Sequence, residues 1–414
     1  MIDDHRATAK SAAAMPRTGG SRRAATGGKF TPIRGCRPGA QIPIRVIQKC
    51  AIALSLSLIV HAEIGAASPP KRALYAVNEA PNDRGSVSVY DIDAGHRLIK
   101  TIKTVPNVAD VRGAAASGVT GKLYVAYREG SGIGMVYCLN LYDDSILWNR
   151  AISPGVDRLA ISPDGQLLYV PTWEEGSADY INVVDAYSGD VILQVHLSQR
   201  SHDTQYPLSG PIFQETKAED GSGKYLYLID PRTYAVSHIG PYSGVLGPYA
   251  VDGTSNYVVN NVMGLWGMQI ANLKTGEMVT AILPDRPPND IRLLHGIGWS
   301  PDQNEVWENS VGGDPHVHIW DMRNPMAPVL KGRLTLRSGR GSHWLTFTIK
   351  GDYGYVAPPK NSADGTEIFD ARNHASVGVI GSSEDMLEID FANGKISEVG
   401  DQYGIGRKMP LPGE

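Results

Sequence analysis

A repeated two-part pattern constrains the fold of this chain more than any other feature. Its first part is a strand of small and apolar residues, a polar turn, and a second strand that reaches an aromatic residue, as at 157–170 and 343–356. Its second part is an alternating strand that ends in Asp or Asn, then a turn and another strand, as in YINVVDAYSGDVILQV at 180–195. Each repeat therefore supplies four short strands.

The Asp or Asn that ends the alternating strand occurs seven times, at intervals of 42 to 49 residues. One four-stranded sheet cannot bury both of its faces without a neighbour on each side, so repeats of this period predict a β-propeller. We expect an all-β fold of seven blades with four antiparallel strands each. The seven anchor residues are Asp91, Asn140, Asp185, Asp230, Asn272, Asp321 and Asp370.

A family resemblance supports the same architecture. The segment ISPDGQLLYV, followed by INVVDAYSGDVILQV, resembles the YVTN-type propeller repeat of YncE-like secreted or periplasmic proteins, and the similarity covers about residues 63–381. The resemblance implies a seven-bladed propeller and export from the cytoplasm. It implies little about chemistry, because such propellers serve as binding platforms, assembly proteins and, in related groups, lactonases, lyases or metal-dependent oxidases.

The N-terminal part of the sequence differs from the repeats. Residues 1–44 lack apolar periodicity, which indicates a disordered segment or an extension from a misplaced start codon. Residues 45–67 have a basic start, a short apolar run and small residues, which is the layout of a signal peptide with cleavage after Ala62 or Ala67. A buried helix or a retained membrane anchor is the alternative. We therefore predict a periplasmic or secreted propeller formed by 68–414.

A further strand pair follows the seventh repeat. The segment at 386–400 resembles an anchor strand pair, yet Asp390 follows Asp370 by only 20 residues, so it is not an eighth blade. We expect it to close the ring by pairing with the first blade, since an open propeller exposes unpaired strand edges. Alternatively, residues 63–74 supply the inner strand of that blade.

One position of the repeat carries ionisable side chains. It lies twelve residues before the aromatic residue and begins the innermost strand, so its side chains should converge beside the channel. His202 is placed at this position by its distance from a turn glycine rather than from an aromatic residue. The position is occupied by Arg112, Asp157, His202, Val245, His295 and His343, and by Glu63 in the first repeat if the register holds.

Three chemical interpretations of this position stay open. His202, His295 and His343 form a candidate centre for one divalent transition metal, Cu, Zn or Fe, with Asp157 or Glu63 as an oxygen ligand. Alternatively, Arg112, Asp157 and His202 are catalytic residues, with general acid and base chemistry and an anion held by the guanidinium. In the third interpretation these polar residues line a hydrated channel.

The loops after the aromatic strands should open on the same face. Their mixed charge and their tryptophan suit a polar, sugar-like or acidic ligand. They begin with Asn78-Glu79, Arg128-Glu129, Trp173-Glu174-Glu175, Asn260-Asn261, Glu308-Asn309 and Lys360-Asn361. Elsewhere, His316 and His318 share one face of a strand, which permits a metal pair or packing between blades.

These observations favour an exported binding or scaffold propeller that recognises a small polar or anionic ligand or an envelope protein. One alternative is a metal-dependent oxidoreductase, lyase or hydrolase that uses the three histidines. Another is a metal-free, lactonase-like hydrolase or lyase. A net charge of −4 does not suggest a nucleic-acid partner. We expect a monomer with no membrane span after signal cleavage.

Overall fold

The computed structural model describes residues 70–197, 200–218, 220–285 and 294–402, and the backbone of 406–408. The predicted signal segment and the extension before it lie outside these residues. Among the described residues, no helix is both long and apolar enough to cross a membrane.

The predicted fold class is confirmed, because the strands form seven antiparallel sheets arranged as the blades of a propeller. Blade 1 contains β1 (Arg72–Asn78), β2 (Val87–Asp91) and β3 (Arg97–Ile102). Blade 2 contains β4 (Val108–Ser117), β5 (Lys122–Glu129), β6 (Gly134–Asn140) and β7 (Ile146–Ala151). Blade 3 contains β8 (Ala160–Ile161), β9 (Leu167–Pro171), β10 (Tyr180–Asp185) and β11 (Val191–His196).

The next four blades follow the same order from the inner to the outer strand. Blade 4 contains β12 (Ser201–Gln205), β13 (Ile212–Thr216), β14 (Leu226–Ile229) and β15 (Val236–Ile239), with a short 3₁₀ turn at Ser222–Lys224. Blade 5 contains β16 (Leu246–Val251), β17 (Tyr257–Val262), β18 (Gly267–Asn272) and β19 (Met278–Ile282). Blade 6 contains β20 (Leu294–Trp299), β21 (Glu305–Ser310), β22 (His316–Asp321) and β23 (Val329–Thr335). Blade 7 contains β24 (Leu345–Phe347), β25 (Tyr353–Val356), β26 (Thr366–Asp370) and β27 (Ser376–Ile380).

The C-terminal part of the chain closes the ring. Strand β28 (Ser383–Ala392) pairs with β1 and becomes the inner strand of blade 1, followed by β29 (Lys395–Gly400) and β30 (Gly406–Lys408). The closure is reinforced by Arg72, whose Nε lies 2.6 Å from Glu388 Oε1 and whose Nη1 lies 2.7 Å from Asp352 Oδ2. Of the two predicted ways to complete blade 1, the structure uses the C-terminal strand.

The repeat residues have clear structural roles. The aromatic residues Tyr124, Tyr169, Trp307 and Tyr355 are at most 1% exposed and pack within or between blades. Each anchor Asp or Asn accepts a hydrogen bond from a backbone N–H two or three residues later, as Asp185 does from Tyr187 N at 2.8 Å. The anchors therefore fix the turn into the outer strand of every blade.

A β-bulge recurs on the inner strands where they begin beside the channel. In five blades the pairing register shifts there by one extra residue, and the shift includes Arg112, His202, Gly247, His295 and Glu384. A bulge locally bends its strand and re-aims the side chain of the extra residue. In blades 3 and 7 the inner strands begin only after Asp157 and His343.

Small residues let these strands approach one another. A Cβ atom on Gly113 would lie 2.7 Å from the Cα of Arg158, and one on Gly296 would lie 2.5 Å from the carbonyl oxygen of His343. Either contact is too close for a side chain, so glycine is required at both positions.

Candidate functional site

A cavity of about 410 Å³ opens where the inner strands begin. Arg112, Asp157, His202, His295 and His343 all line it. These side chains come from five blades and are as far apart as 231 residues in the chain. The structure therefore brings these five residues, predicted from the repeat register, into one space.

In blades 1 and 5, the residue at this repeat position differs from the one that the spacing predicted. Glu63 lies outside the described residues, and Glu384 on β28 has the equivalent position in blade 1, because Leu387 pairs with Tyr75 as Ala115 pairs with Tyr124. In blade 5 the prediction of Val245 is wrong by two residues.

The blade 5 error comes from its aromatic residue. Tyr257 faces the anchor Asn272 directly, whereas Tyr124 lies two residues beyond the partner of Asn140. Gly247 is therefore the equivalent position in blade 5, and it contributes no side chain to the cavity.

Arg112 and Asp157 form the most strongly connected pair in the cavity. Arg112 Nη2 lies 2.7 Å from both carboxylate oxygens of Asp157, and Nε donates to Oδ1 at 3.1 Å. Asp157 also accepts the backbone N–H groups of Arg158 and Glu174. Burial raises the pKa of Asp157 to about 7, while Arg112 acts in the opposite direction. The guanidinium also contacts Glu174 Oε1 at 3.1 Å and Asp110 Oδ2 at 3.4 Å, so one cation holds three carboxylates.

His202 is held by a buried acidic residue behind it. Its Nδ1 lies 3.2 Å from Glu215 Oε2, and Glu215 in turn contacts Lys217 Nζ at 2.8 Å. The Nε2 atom faces the cavity residue Glu174, whose Oε2 lies 3.7 Å away. Burial lowers the pKa of His202 well below its ordinary value, so the imidazole is neutral at pH 7.

His295 and His343 stack on each other. Their ring centroids are 4.3 Å apart with an interplanar angle of 22°. Burial lowers the pKa of both imidazoles, which keeps each ring uncharged. His295 Nδ1 lies 3.2 Å from the carbonyl oxygen of His343, and His343 Nδ1 lies 3.1 Å from Glu384 Oε1. The carbonyl oxygen can only accept, so His295 carries its proton on Nδ1 and its Nε2 atom remains an acceptor, whereas His343 Nδ1 lies at ion-pair distance from Glu384 without a hydrogen bond.

Arg158 and Trp344 form another wall of the cavity. The guanidinium lies 3.2 Å from the centroid of the Trp344 ring and is paired with Asp385 Oδ1 at 2.6 Å. Its Nη1 also donates to Gln402 Oε1 at 2.9 Å. Gln402 reaches across the ring, since its Oε1 accepts from Ala114 N and its carbonyl oxygen accepts from Thr346. The C-terminal segment therefore supports the cavity from within the channel.

The predicted rim is only partly correct. Arg128, Trp173, Glu174, Glu175, Lys360 and Asn361 do line the cavity. By contrast, Glu79, Asn261 and Asn309 are buried and support the inner strands. Glu79 accepts from Val111 N, and Asn309 accepts from Gly296 N at 2.7 Å, because the bulges leave these backbone groups without a ladder partner.

Trp173 stands out at this rim. Its backbone has φ of 87°, a conformation that is strained for a bulky side chain, and its ring carries the guanidinium of Arg128 at 4.1 Å. Strained residues concentrate at binding sites, which makes Trp173 a candidate contact for a ligand.

Sequence reasoning missed Glu384, Arg158 and Trp344. A signal for the last two was present, because each directly follows a residue of the ring position. No comparable signal existed for Glu384, since its segment joins blade 1 only when the ring closes.

The other candidate metal pair, His316 and His318, shares one acidic partner. His316 Nδ1 lies 2.5 Å from Asp314 Oδ1, and His318 Nε2 lies 2.7 Å from Asp314 Oδ2. His318 also packs against Trp266. The hydrogen bonds to Asp314 explain the pair without a metal.

Within the described residues, one group of three side chains places its possible metal-ligand atoms within 4.8 Å of one another. It consists of Asp157, Glu174 and His202, and does not include His295 or His343. Asp157 already accepts five contacts from N–H groups, whereas a carboxylate offers about four lone-pair sites. The cluster is thus satisfied as an ion-pair network.

Comparisons with known proteins support the fold alone. No protein-family model matches the chain, and no curated protein matches it. Among solved structures, hydrazine synthase from Kuenenia stuttgartiensis is 12% identical, with a TM-score of 0.55 over 72% of this chain and 97% of that chain. The dihydro-heme d1 dehydrogenase NirN, in complex with DHE, is 14% identical, with a TM-score of 0.52 over 77% of this chain and 74% of that chain.

A third similar structure is the β-propeller domain of Cps50 (Swd1) from Myceliophteria thermophila. It is 11% identical, with a TM-score of 0.52 over 70% of this chain and 96% of that chain. At these identities the three proteins share the propeller architecture with this chain, and function must be argued from the site itself.

Proposed function

We propose that this protein is an exported binding propeller that holds a small polar ligand in the cavity at the channel mouth. The observation that carries the proposal is the convergence of one repeat position from six blades on a single polar cavity of about 410 Å³. This volume falls within the range of roughly 300–1,000 Å³ that is typical of small-molecule sites.

Several features support a binding role. The bulges aim side chains at the cavity, and hydrogen bonds or ion pairs hold the imidazoles of His202, His295 and His343 in place. A site whose groups are held in advance loses less conformational entropy when it binds. The resemblance of the repeat to YVTN-type proteins belongs to the same proposal, as does export through the signal segment at 45–67.

The direct test is to purify the protein without a histidine tag and analyse it by native mass spectrometry for a bound small molecule. We expect a discrete added mass that disappears on denaturation and in His295→Gln. The matched control is Arg323→Ala, which changes an exposed residue away from the cavity. A chain that carries no adduct and whose melting temperature no polar metabolite shifts would contradict the proposal.

Export has its own measurement. We expect the N terminus of protein recovered from the periplasm or the medium to begin after Ala62 or Ala67. Protein retained in the cytoplasm with residues 1–67 intact would contradict export while leaving the binding site untouched. Co-purification from the same fraction tests an envelope protein as partner.

A metal centre is the second candidate, and one observation favours it. His295 turns Nδ1 to the carbonyl oxygen of His343 and keeps Nε2 as a lone-pair donor, which is the usual preparation of a metal-binding histidine. Elemental analysis should then find stoichiometric Cu, Zn or Fe that is lost in the His295→Ala, His343→Ala double variant and retained in Arg323→Ala. Substoichiometric metal in the untagged protein would exclude this candidate.

A further inference from the structure

We infer that the ligand of the cavity is a neutral, polyhydroxylated molecule, a sugar or a polyol. The inference rests on the proposed function and narrows its ligand class. It is carried by the pairing of charges in the cavity, by the mixture of donors and acceptors that remains, and by the partly exposed tryptophan at the rim.

The charged side chains that line the cavity are nearly balanced in number. Four cationic and five acidic side chains line the cavity, so their formal charges nearly cancel. Three of the four cations are also closely paired, because Arg112 holds Asp157, Arg158 holds Asp385 at 2.6 Å, and Lys360 Nζ lies 2.6 Å from Asp110. An anionic ligand would have to break such a pair and leave a buried carboxylate without its counter-charge, which is costly.

Arg128 has the weakest ion pairing among the cations that line the cavity. Its Nη1 lies 4.0 Å from Asp110 Oδ2, and its guanidinium lies over the ring of Trp173 at the rim. Its side chain is 29% exposed, so water reaches part of the guanidinium, while its Nε atom is buried without a hydrogen-bond partner among the described residues. One exposed arginine that stacks on an aromatic ring supports a polar contact rather than the binding of a fully charged group.

Hydrogen-bond donors and acceptors both line the part of the cavity near His295. His295 offers its Nε2 atom as an acceptor, and Glu384, whose carboxylate interacts with that of Glu79, also lines the cavity. Arg158 Nη2 lies 4.0 Å from Glu384 Oε1 and is a donor without a hydrogen-bond partner in the part of the chain that the structure describes. Donors and acceptors therefore lie side by side in this half of the cavity.

A hydroxyl group both donates and accepts, so neighbouring hydroxyls on one carbon skeleton can satisfy both kinds of group at once. A carboxylate or phosphate ligand would meet the Nε2 atom of His295 and the carboxylate of Glu384 with like polarity. An ammonium ligand only donates and would meet Arg158. The local pattern of polar atoms thus selects a polyol over either type of ion.

An aromatic side chain lies at the rim of the cavity. Trp173 is partly exposed at the rim and presents aromatic surface above a polar interior. The C–H face of a sugar ring is apolar and packs against such a surface, while its hydroxyls point to the sides. The backbone of Trp173 has a φ of 87°, and strained residues of this kind concentrate at binding sites.

The experiment is a binding screen by thermal shift and calorimetry on the full-length protein. The probes are neutral saccharides and polyols (glucose, trehalose, myo-inositol and a glycan array), with citrate, phosphate and spermidine as charged comparators. We expect at least one neutral probe to bind, with a dissociation constant that changes less than about twofold between low and high ionic strength, because no charge is screened.

Variants distinguish the cavity from the rest of the surface. Glu384→Gln and Trp173→Gly should each weaken binding of the neutral probe at least about tenfold, which corresponds to about 1.4 kcal/mol. Arg323→Ala should leave it unchanged. Trp173→Gly covers the case in which the buried Glu384 variant fails to fold, since Trp173 lies at the partly exposed rim.

Two failures can be told apart. If citrate or phosphate binds instead, with affinity that falls as salt rises and is lost in Arg128→Ala, the ligand class is wrong and the binding function stands. If neither neutral nor charged probes bind and native mass spectrometry finds no adduct, the inference and the proposed function both fail.

Discussion

Arg112 and Asp157 join neighbouring blades through a bidentate ion pair, with Arg112 Nη2 2.7 Å from both carboxylate oxygens. Both side chains occupy the same position in successive repeats, 45 residues apart in the chain. The pair therefore forms only because the two blades are adjacent in the fold. It lies in the wall of the cavity and shields two carboxylates from each other, since the same guanidinium also contacts Glu174.

Removing the cation of this pair should be costly. Arg112→Ala leaves Asp157 buried without its counter-charge, and we expect a loss of about 3–5 kcal/mol in the free energy of unfolding. The double variant Arg112→Met, Asp157→Asn removes both charges. Its loss of unfolding free energy should be smaller than the summed losses of Arg112→Met and Asp157→Asn measured singly. Urea denaturation measures both effects. A loss below about 1 kcal/mol for Arg112→Ala would mean that water solvates Asp157.

The neutral histidines predict a dependence of stability on pH. Burial lowers the pKa of His295 in the folded state well below 6.5, so on acidification the unfolded chain binds a proton that the native protein does not. The contribution of His295 is therefore complete above about pH 6.5 and is lost as the pH falls towards its folded-state pKa. His295→Gln should reduce the slope of unfolding free energy against pH by about one proton in this window.

The control for this slope is Arg323→Ala, because it changes an exposed side chain that stays charged throughout this window. Its slope should equal that of the unmodified protein. Equal slopes for the unmodified protein and His295→Gln would show that His295 titrates alike in both states. Buried acids such as Asp157, whose pKa is raised to about 7, change the unfolding free energy with pH in the opposite direction. The effect of His295 is therefore measured as a difference between variants.

Backbone strain at Trp173 can be measured by a pair of substitutions. Trp173→Ala and Trp173→Gly both remove the ring and its contact with Arg128, but only alanine keeps a Cβ at a φ of 87°. We expect the glycine variant to be more stable than the alanine variant by about 1 kcal/mol. Thermal or urea denaturation measures the difference. An alanine variant of equal or greater stability would show that this backbone relaxes without cost.

Ring closure should depend on Arg72. This residue on β1 pairs with Glu388 on β28 and with Asp352 in blade 7, and its side chain is 3% exposed. Arg72→Met leaves both acids without their cation, so we expect faster hydrogen exchange in β1 and β28 than in blades 3 and 4. The exposed pair Arg323–Asp321 supplies the control, because Arg323→Ala should not change exchange in either region. Uniform acceleration over all blades would contradict a local role in closure.

Much of the fold was predictable because each blade is a local unit. Tyr124, Tyr169, Trp307 and Tyr355 recur at a fixed distance from the start of the inner strand, and that distance is set by strand and turn lengths within one blade. The register failed in blade 5, where Tyr257 is displaced by two residues and the spacing alone pointed to Val245 instead of Gly247.

The sequence by itself determined the seven-fold repeat and the position from which Arg112, Asp157, His202, His295 and His343 reach a common space. Only the tertiary structure decided which of these side chains touch, because contacts between blades depend on closure of the ring and on the bulges of the inner strands. Closure brings Glu384 to His343 and Gln402 to Arg158, which no local spacing encodes. Burial then fixes the charges, since a side chain's protonation depends on the dielectric and the partners that folding assembles around it.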